Sequence, residues 1–118
     1  MVIMAIKIVK KPISKKALKE IAKEGFGNVI KAVVDVEQEI MAVGGELHAD
    51  EEVLLMENES SNRENTWGIN FYLDKLGEEF IEFDSMINLK PAFGNRSRGV
   101  GDAKVREKIK EIVGKLIK

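Results

Sequence analysis

Residues 29–36 alternate strictly, with Ile30, Ala32, Val34 and Val36 on one side and Val29, Lys31, Val33 and Asp35 on the other. Period two is the pattern of a strand with two distinct faces. A turn near Glu37-Gln38 leads into 39–43 (EIMAV), so the pair reads as a hairpin, and Gly44-Gly45 marks a bulge or sharp exit. Residues 66–73 alternate again, Trp67, Ile69 and Phe71 against Gly68, Asn70 and Tyr72. Beyond a turn at 74–77, a long strand is predicted over 79–90. It would carry Ile81, Phe83, Ser85, Ile87 and Leu89 on one face and Phe80, Glu82, Asp84, Met86, Asn88 and Lys90 on the other. Residues 2–9 (VIMAIKIV) are apolar and β-branched enough for a further strand, ended by Pro12.

Three segments show helical spacing instead. Ser14 stands where an N-cap belongs, Ile13 and Leu18 occupy the two positions of a hydrophobic staple, and Ala17, Leu18, Ile21 and Ala22 form one stripe. Gly25 is expected to supply the left-handed stop. Asp50 is expected to cap a short helix with Glu51 and Glu52 in its first turn, where the helix dipole favours acids. Residues 58–65 then read as a polar loop. Asp102 caps a final helix with Val105, Ile109, Ile112, Val113, Leu116 and Ile117 on one side, and Gly114 marks a close backbone approach. The order β-α-β-β-α-β-β-α predicts an α+β fold, a mostly antiparallel sheet of about five strands with three helices.

At 118 residues the chain is long enough for one core, so a single domain over 1–118 is expected. The absence of cysteine excludes disulfides, a thiolate nucleophile and cysteine-bound metal. No run approaches the roughly 20 apolar residues of a membrane helix. In MVIMAIKIVKKPISKK the positive charges follow the apolar run, the reverse of a signal peptide, so a cytoplasmic location without membrane partners is expected. The net charge of −1 hides segregation. Residues 1–34 hold eight lysines against two acids, and 35–59 hold nine acids and no base. Residues 60–89 hold two bases against six acids, and 90–118 nine bases against three acids. Such blocks either neighbour and screen each other in the fold or present a charged patch to a partner.

The stretch 91–101, PAFGNRSRGVG, is the first candidate site. Backbone N–H groups of a Gly-rich loop, the guanidinium forks of Arg96 and Arg98, and the polar side chains of Asn95 and Ser97 suit phosphate or carboxylate, with Phe93 able to stack on a ring. The glycine spacing fits neither a P-loop nor a dinucleotide fingerprint. Because Asp102 would use the N–H groups of the last helix, an anion would be held further out, by Arg96 and Arg98. The opposing reading is an ordered loop whose arginines pair with the acidic segment 35–59. The second candidate is GELHADEE, in which Glu46, His48 and Asp50 would share one side of an extended backbone and hold a divalent metal. Asp35 or Asp84 would add a metal ligand, Glu82, Asp84 and Asn88 share one strand face that could support a site, and a Ser-His-Asp arrangement of Ser85 or Ser97 with His48 lacks the nucleophile-elbow motif.

The strings KAVVDVEQEIMAVGGELHADEE, TWGIN, EFDSMIN and GNRSRGVGD, in this order, resemble a family of short prokaryotic proteins catalogued only as a domain of unknown function. The resemblance covers about residues 12–117. It implies a stand-alone small α+β protein with no established activity or catalytic residues. In that family a basic residue and Gly often occupy the first hairpin turn, where this chain has Gln38-Glu39. The leading expectation is thus a binding or accessory module, with no organic cofactor, for an anionic small molecule or nucleotide through loop 94–101. Nucleic acid is a further partner to weigh. The alternatives are an interaction protein forming homo- or hetero-oligomers without catalysis, and a metal-assisted hydrolase using Glu46, His48 and Asp50.

Overall fold

Two of the three helices begin at the caps the sequence predicts. The computed structural model describes residues 5–118, so the first part of the predicted 2–9 strand lies outside the described residues. Helix α1, Lys15–Lys23, opens with Ser14 Oγ accepting the Ala17 N–H at 3.0 Å and buries Leu18 and Ala22. Its left-handed exit is made by Gly27, at φ 86°, rather than Gly25. Helix α3, Ala103–Leu116, opens with Asp102 accepting the Lys104 N–H at 2.8 Å and buries Ile109, Ile112, Val113 and Leu116. Gly114 meets nothing within 4 Å of where a Cβ would stand, so the close approach expected there is not made.

Five antiparallel strands form the sheet in the order β1-β3-β2-β4-β5: β1 Lys7–Val9, β2 Val29–Asp35, β3 Ile40–Val43, β4 Thr66–Tyr72 and β5 Ile81–Glu82. The fold is α+β, as predicted. Alternation divides the side chains between two cores. On one face α1 and α3 cover Val9, Ile30, Ala32, Val34, Met41, Val43, Trp67, Ile69 and Phe71. On the other, helix α2, His48–Glu59, covers Val33, Ile40 and Ala42 through Leu55, joined by Ile87.

The strand predicted over 79–90 pairs only at Ile81–Glu82 and then breaks into 3-10 turns at Met86–Asn88 and Pro91–Phe93. Side chains take over the pairing. Asn88 Oδ1 accepts the Gly68 N–H at 2.8 Å, and Asn88 Nδ2 donates to the Gly68 carbonyl at 3.0 Å. The buried Lys90 ammonium donates to the carbonyls of Arg63 and Thr66 and lies 4.2 Å from the Trp67 ring centroid. Burial lowers this lysine to about pKa 8. The chain passes so close to β4 that a Cβ at Gly68 would stand 2.5 Å from the Ser85 Cβ. The Ser85 hydroxyl accepts the Ile87 N–H at 3.3 Å, which turns the chain out of the strand.

The acidic segment is screened from within, by Arg63 at Glu52 and by lysines elsewhere: Lys10 reaches Glu59 at 2.6 Å, and Lys108 and Lys115 both reach Glu39 at 3.2 Å. These two ammonium groups, Lys115 foremost, lower the Glu39 pKa. No helix among the described residues is long and apolar enough to cross a membrane.

Candidate functional site

Helix α2 begins two residues before the predicted cap. Leu47 is its N-cap and offers no side-chain hydrogen bond, and Asp50 lies exposed inside the first turn. The periodicity of the helix is inverted: His48, Glu51, Glu52 and Leu55 face the sheet, while Val53 and Met56 are exposed. Each inward polar side chain makes at least one hydrogen bond, while Glu51 Oε1 is buried without a partner among the described residues. Glu51 Oε2 accepts the Gly45 N–H at 2.9 Å, and Glu52 accepts from Arg63 at 3.0 Å and Thr66 at 2.6 Å. Burial raises the Glu51 pKa well above the ordinary 4.5.

Against this uncapped helix start lies a cleft of about 420 Å³. Leu47, His48 and Ala49 line it from α2, Lys31 from β2, Asn70 and Tyr72 from β4, and Glu82 from β5. Asp84, Ser85 and Arg98 complete its polar wall. Register explains the assembly, since Lys31 pairs with Asn70, and Asn70 with Glu82, across three neighbouring strands.

The polar groups are connected in a defined order. Glu82 Oε1 accepts from Tyr72 Oη at 2.8 Å and from Asn70 Nδ2 at 2.9 Å, and this carboxylate raises the tyrosine's pKa. Asn70 Nδ2 also donates to the Asp84 carbonyl at 3.2 Å, so the two acceptors fix the orientation of the amide. Its Oδ1 is buried and has no hydrogen-bond partner among the described residues. Asp84 Oδ1 accepts from Arg98 Nε at 2.7 Å, an engagement that leaves the two terminal nitrogens of the guanidinium open. Arg98 thus pairs with Asp84 and not with segment 35–59.

His48 is buried at 8% exposure and meets the Ile69 carbonyl through Nε2 at 2.8 Å. A carbonyl only accepts, so the ring carries its proton on Nε2, and Nδ1 bears a lone pair in the neutral form. Burial, the largest influence, lowers the pKa of His48 below 6.5; Lys31 acts in the same direction, whereas the Ile69 carbonyl, Asn70 and Asp84 oppose it.

The structure brings together only part of the predicted site. Arg98 and His48, from the two separate candidate segments, share the cleft. Asn95 turns inward: its Nδ2 donates to the carbonyls of Asn88, Ser97 and Gly99, and its Oδ1 accepts the Gly101 N–H. It builds the loop. Ser97 Oγ accepts the Gly99 N–H at 3.2 Å, within the same loop. Phe93 and Arg96 are exposed and do not line the cleft. The extended backbone expected for Glu46, His48 and Asp50 is replaced by the start of α2, which turns His48 inward and leaves both acids exposed. Among the described residues no three His, Asp or Glu side chains gather as a metal site. Ser85 lines the cleft with His48, but their hydrogen bonds go elsewhere, to Ile87 and Ile69. Lys31, Asn70 and Tyr72 were not singled out by the sequence, although each lies on the polar face of an alternating strand.

No curated protein and no solved structure matches the chain. Residues 7–116 match the family described as "Protein of unknown function (DUF5674)", and the chain belongs to that family.

Proposed function

We propose that this protein is a binding module for a small ligand bearing a carboxylate or phosphate, held in the cleft rather than along the whole loop 94–101. One observation carries the reading: an uncapped helix start, Lys31, whose ammonium lies 5.7 Å from the Phe26 ring centroid, and the open fork of Arg98 line one concavity. The first N–H groups of a helix carry partial positive charge and need acceptors. Guanidinium nitrogens supply a planar pair of donors for an oxyanion. The volume falls within the range of small-molecule sites. Of the two acids in the cleft, Asp84 is paired with Arg98, while Glu82 is engaged by the neutral donors Tyr72 and Asn70 and keeps its charge, so an anion is expected on the Lys31 and Arg98 side. In this reading the Asn95-built loop serves to deliver Arg98.

Sulfate and acetate, titrated at low ionic strength and followed by backbone and Arg Nε resonances, test the proposal. Shifts should cluster on Leu47–Ala49, Lys31 and Arg98. Arg98→Ala and Lys31→Ala should each weaken binding about tenfold while leaving the fold intact. Dispersed shifts, or wild-type affinity in both variants, would refute it.

A second reading, an interaction surface, is favoured by the exposed apolar side chains Val53, Met56, Leu47 and Met86. Acids Glu46, Asp50 and Glu57 stand exposed around them, which suits a partner with a basic rim.

A further inference from the structure

We propose that the ligand of the cleft is a zwitterion, an amino acid with an apolar side chain, whose ammonium is taken by Glu82 while its carboxylate lies on the Lys31 and Arg98 side. The inference rests on the cleft being the anion site, and adds the chemistry of the rest of the ligand. Charge leads to it. The ionised side chains lining the cleft are Lys31, Arg98, Glu82 and Asp84, two of each sign. Asp84 and Arg98 offset each other through a 2.7 Å contact, whereas neither Lys31 nor Glu82 has an ion-pair partner among the described residues. Register keeps these two apart. Lys31 pairs with Asn70 and Asn70 with Glu82, so two strand spacings, about 10 Å of backbone separation, lie between them.

Glu82 is equipped to receive a cation. Its Oε1 is oriented by Tyr72 Oη at 2.8 Å and Asn70 Nδ2 at 2.9 Å, and its Oε2 accepts no hydrogen bond among the described residues. A carboxylate fixed through one oxygen has the other to offer. The guanidinium belongs to the same bonded chain: the Asn70 nitrogen that reaches Glu82 also reaches the Asp84 carbonyl at 3.2 Å, and Asp84 carries Arg98. A monoanion alone would leave the cleft with one excess negative charge beside Glu82. A zwitterion leaves the balance unchanged and brings an opposite charge to the unpaired acid as well as to the bases. The rim accounts for the apolar part. Leu47, 56% exposed, and Met86, 62% exposed, line the same cleft and give an apolar side chain a surface to cover.

Three probes of similar shape separate the two charges: leucine, isocaproate, which lacks the ammonium, and isoamylamine, which lacks the carboxylate. Each is titrated against the full chain at neutral pH and followed by backbone and Arg Nε resonances, with sulfate as the reference anion. Leucine should bind about tenfold more tightly than either of the other two, with shifts at Glu82, Arg98 and Leu47. Glu82→Gln keeps an acceptor oxygen for Tyr72 and Asn70 but carries no charge. It should remove the advantage of leucine and leave isocaproate binding at least as tightly as to the wild type. Isocaproate matching leucine, leucine failing to bind where sulfate does, or an advantage of leucine that survives Glu82→Gln overturns the zwitterion while the anion site stands. The wild-type comparison decides the matter even where Glu82→Gln does not fold. No response to sulfate, leucine or isocaproate at Lys31 or Arg98 overturns the site and the zwitterion together.

Discussion

Asn88 shows how much one side chain can carry. Its amide satisfies both backbone groups of Gly68 and also donates to the Arg98 carbonyl at 2.9 Å. Because Gly68 is buried beneath Ser85, water cannot replace these bonds without opening the structure. Asn88→Ala should cost about 2–4 kcal/mol in chemical denaturation, and Asn88→Asp, which keeps the acceptor but loses the donor, should also destabilise. A loss below about 0.5 kcal/mol for the alanine variant would show that the amide is not holding the 85–98 segment to β4. This role was hidden in the sequence, where Asn88 sits at a regular strand position. Asn95 was hidden in another way: it stood among the ligand-facing residues, and nothing in GNRSRG reveals that its amide points inward to four backbone partners.

At the scale of elements, α1 and α3 were legible because Ser14, Asp102 and their apolar stripes all point to one answer. Helix α2 was not. It starts at an uncapped Leu47, and it turns acids and an imidazole toward the sheet with Leu55 as the fully buried apolar side chain. Stability there depends on protonation. The buried Glu51 has a pKa well above 4.5, so the folded state binds its proton more tightly than the unfolded chain. That contribution is fully present below pH 4.5 and is lost as pH rises through the folded value. Glu51→Gln mimics the protonated acid and should raise stability at neutral pH while flattening its pH dependence above pH 4.5. Denaturation curves at a series of pH values check this; a parallel slope in wild type and variant would count against it.

The cleft itself belongs to the whole molecule, and this is why the sequence showed only its pieces. His48, Glu82, Asp84 and Arg98 were candidates separately, but the register that sets Lys31 beside Asn70, and Asn70 beside Glu82, is a long-range property. Alternation places Lys31, Asn70 and Tyr72 on the polar faces of two strands without saying that those strands are neighbours. Charge acts at the same scale. The apolar side chains Val53 and Met56 on α2 lie among exposed acids, so two copies meeting there would oppose like charges. Light scattering at low salt should therefore report a monomer at every concentration tested; a dimer abolished by Val53→Asp would reverse that conclusion.

The side-chain closure of β4 has a further consequence. Outer strands usually present a row of unpaired amides and carbonyls on which another chain can build. Here Lys90 occupies Thr66, Asn88 occupies both groups of Gly68, and β5 meets Asn70. A neighbouring molecule finds few vacant places along that border. The opposite border, β1, spans three described residues and is followed by Lys10, Lys11 and Pro12, which discourage an incoming strand. The sheet thus carries its own protection against fibre-like growth, and on the β4 side an asparagine and a lysine provide it.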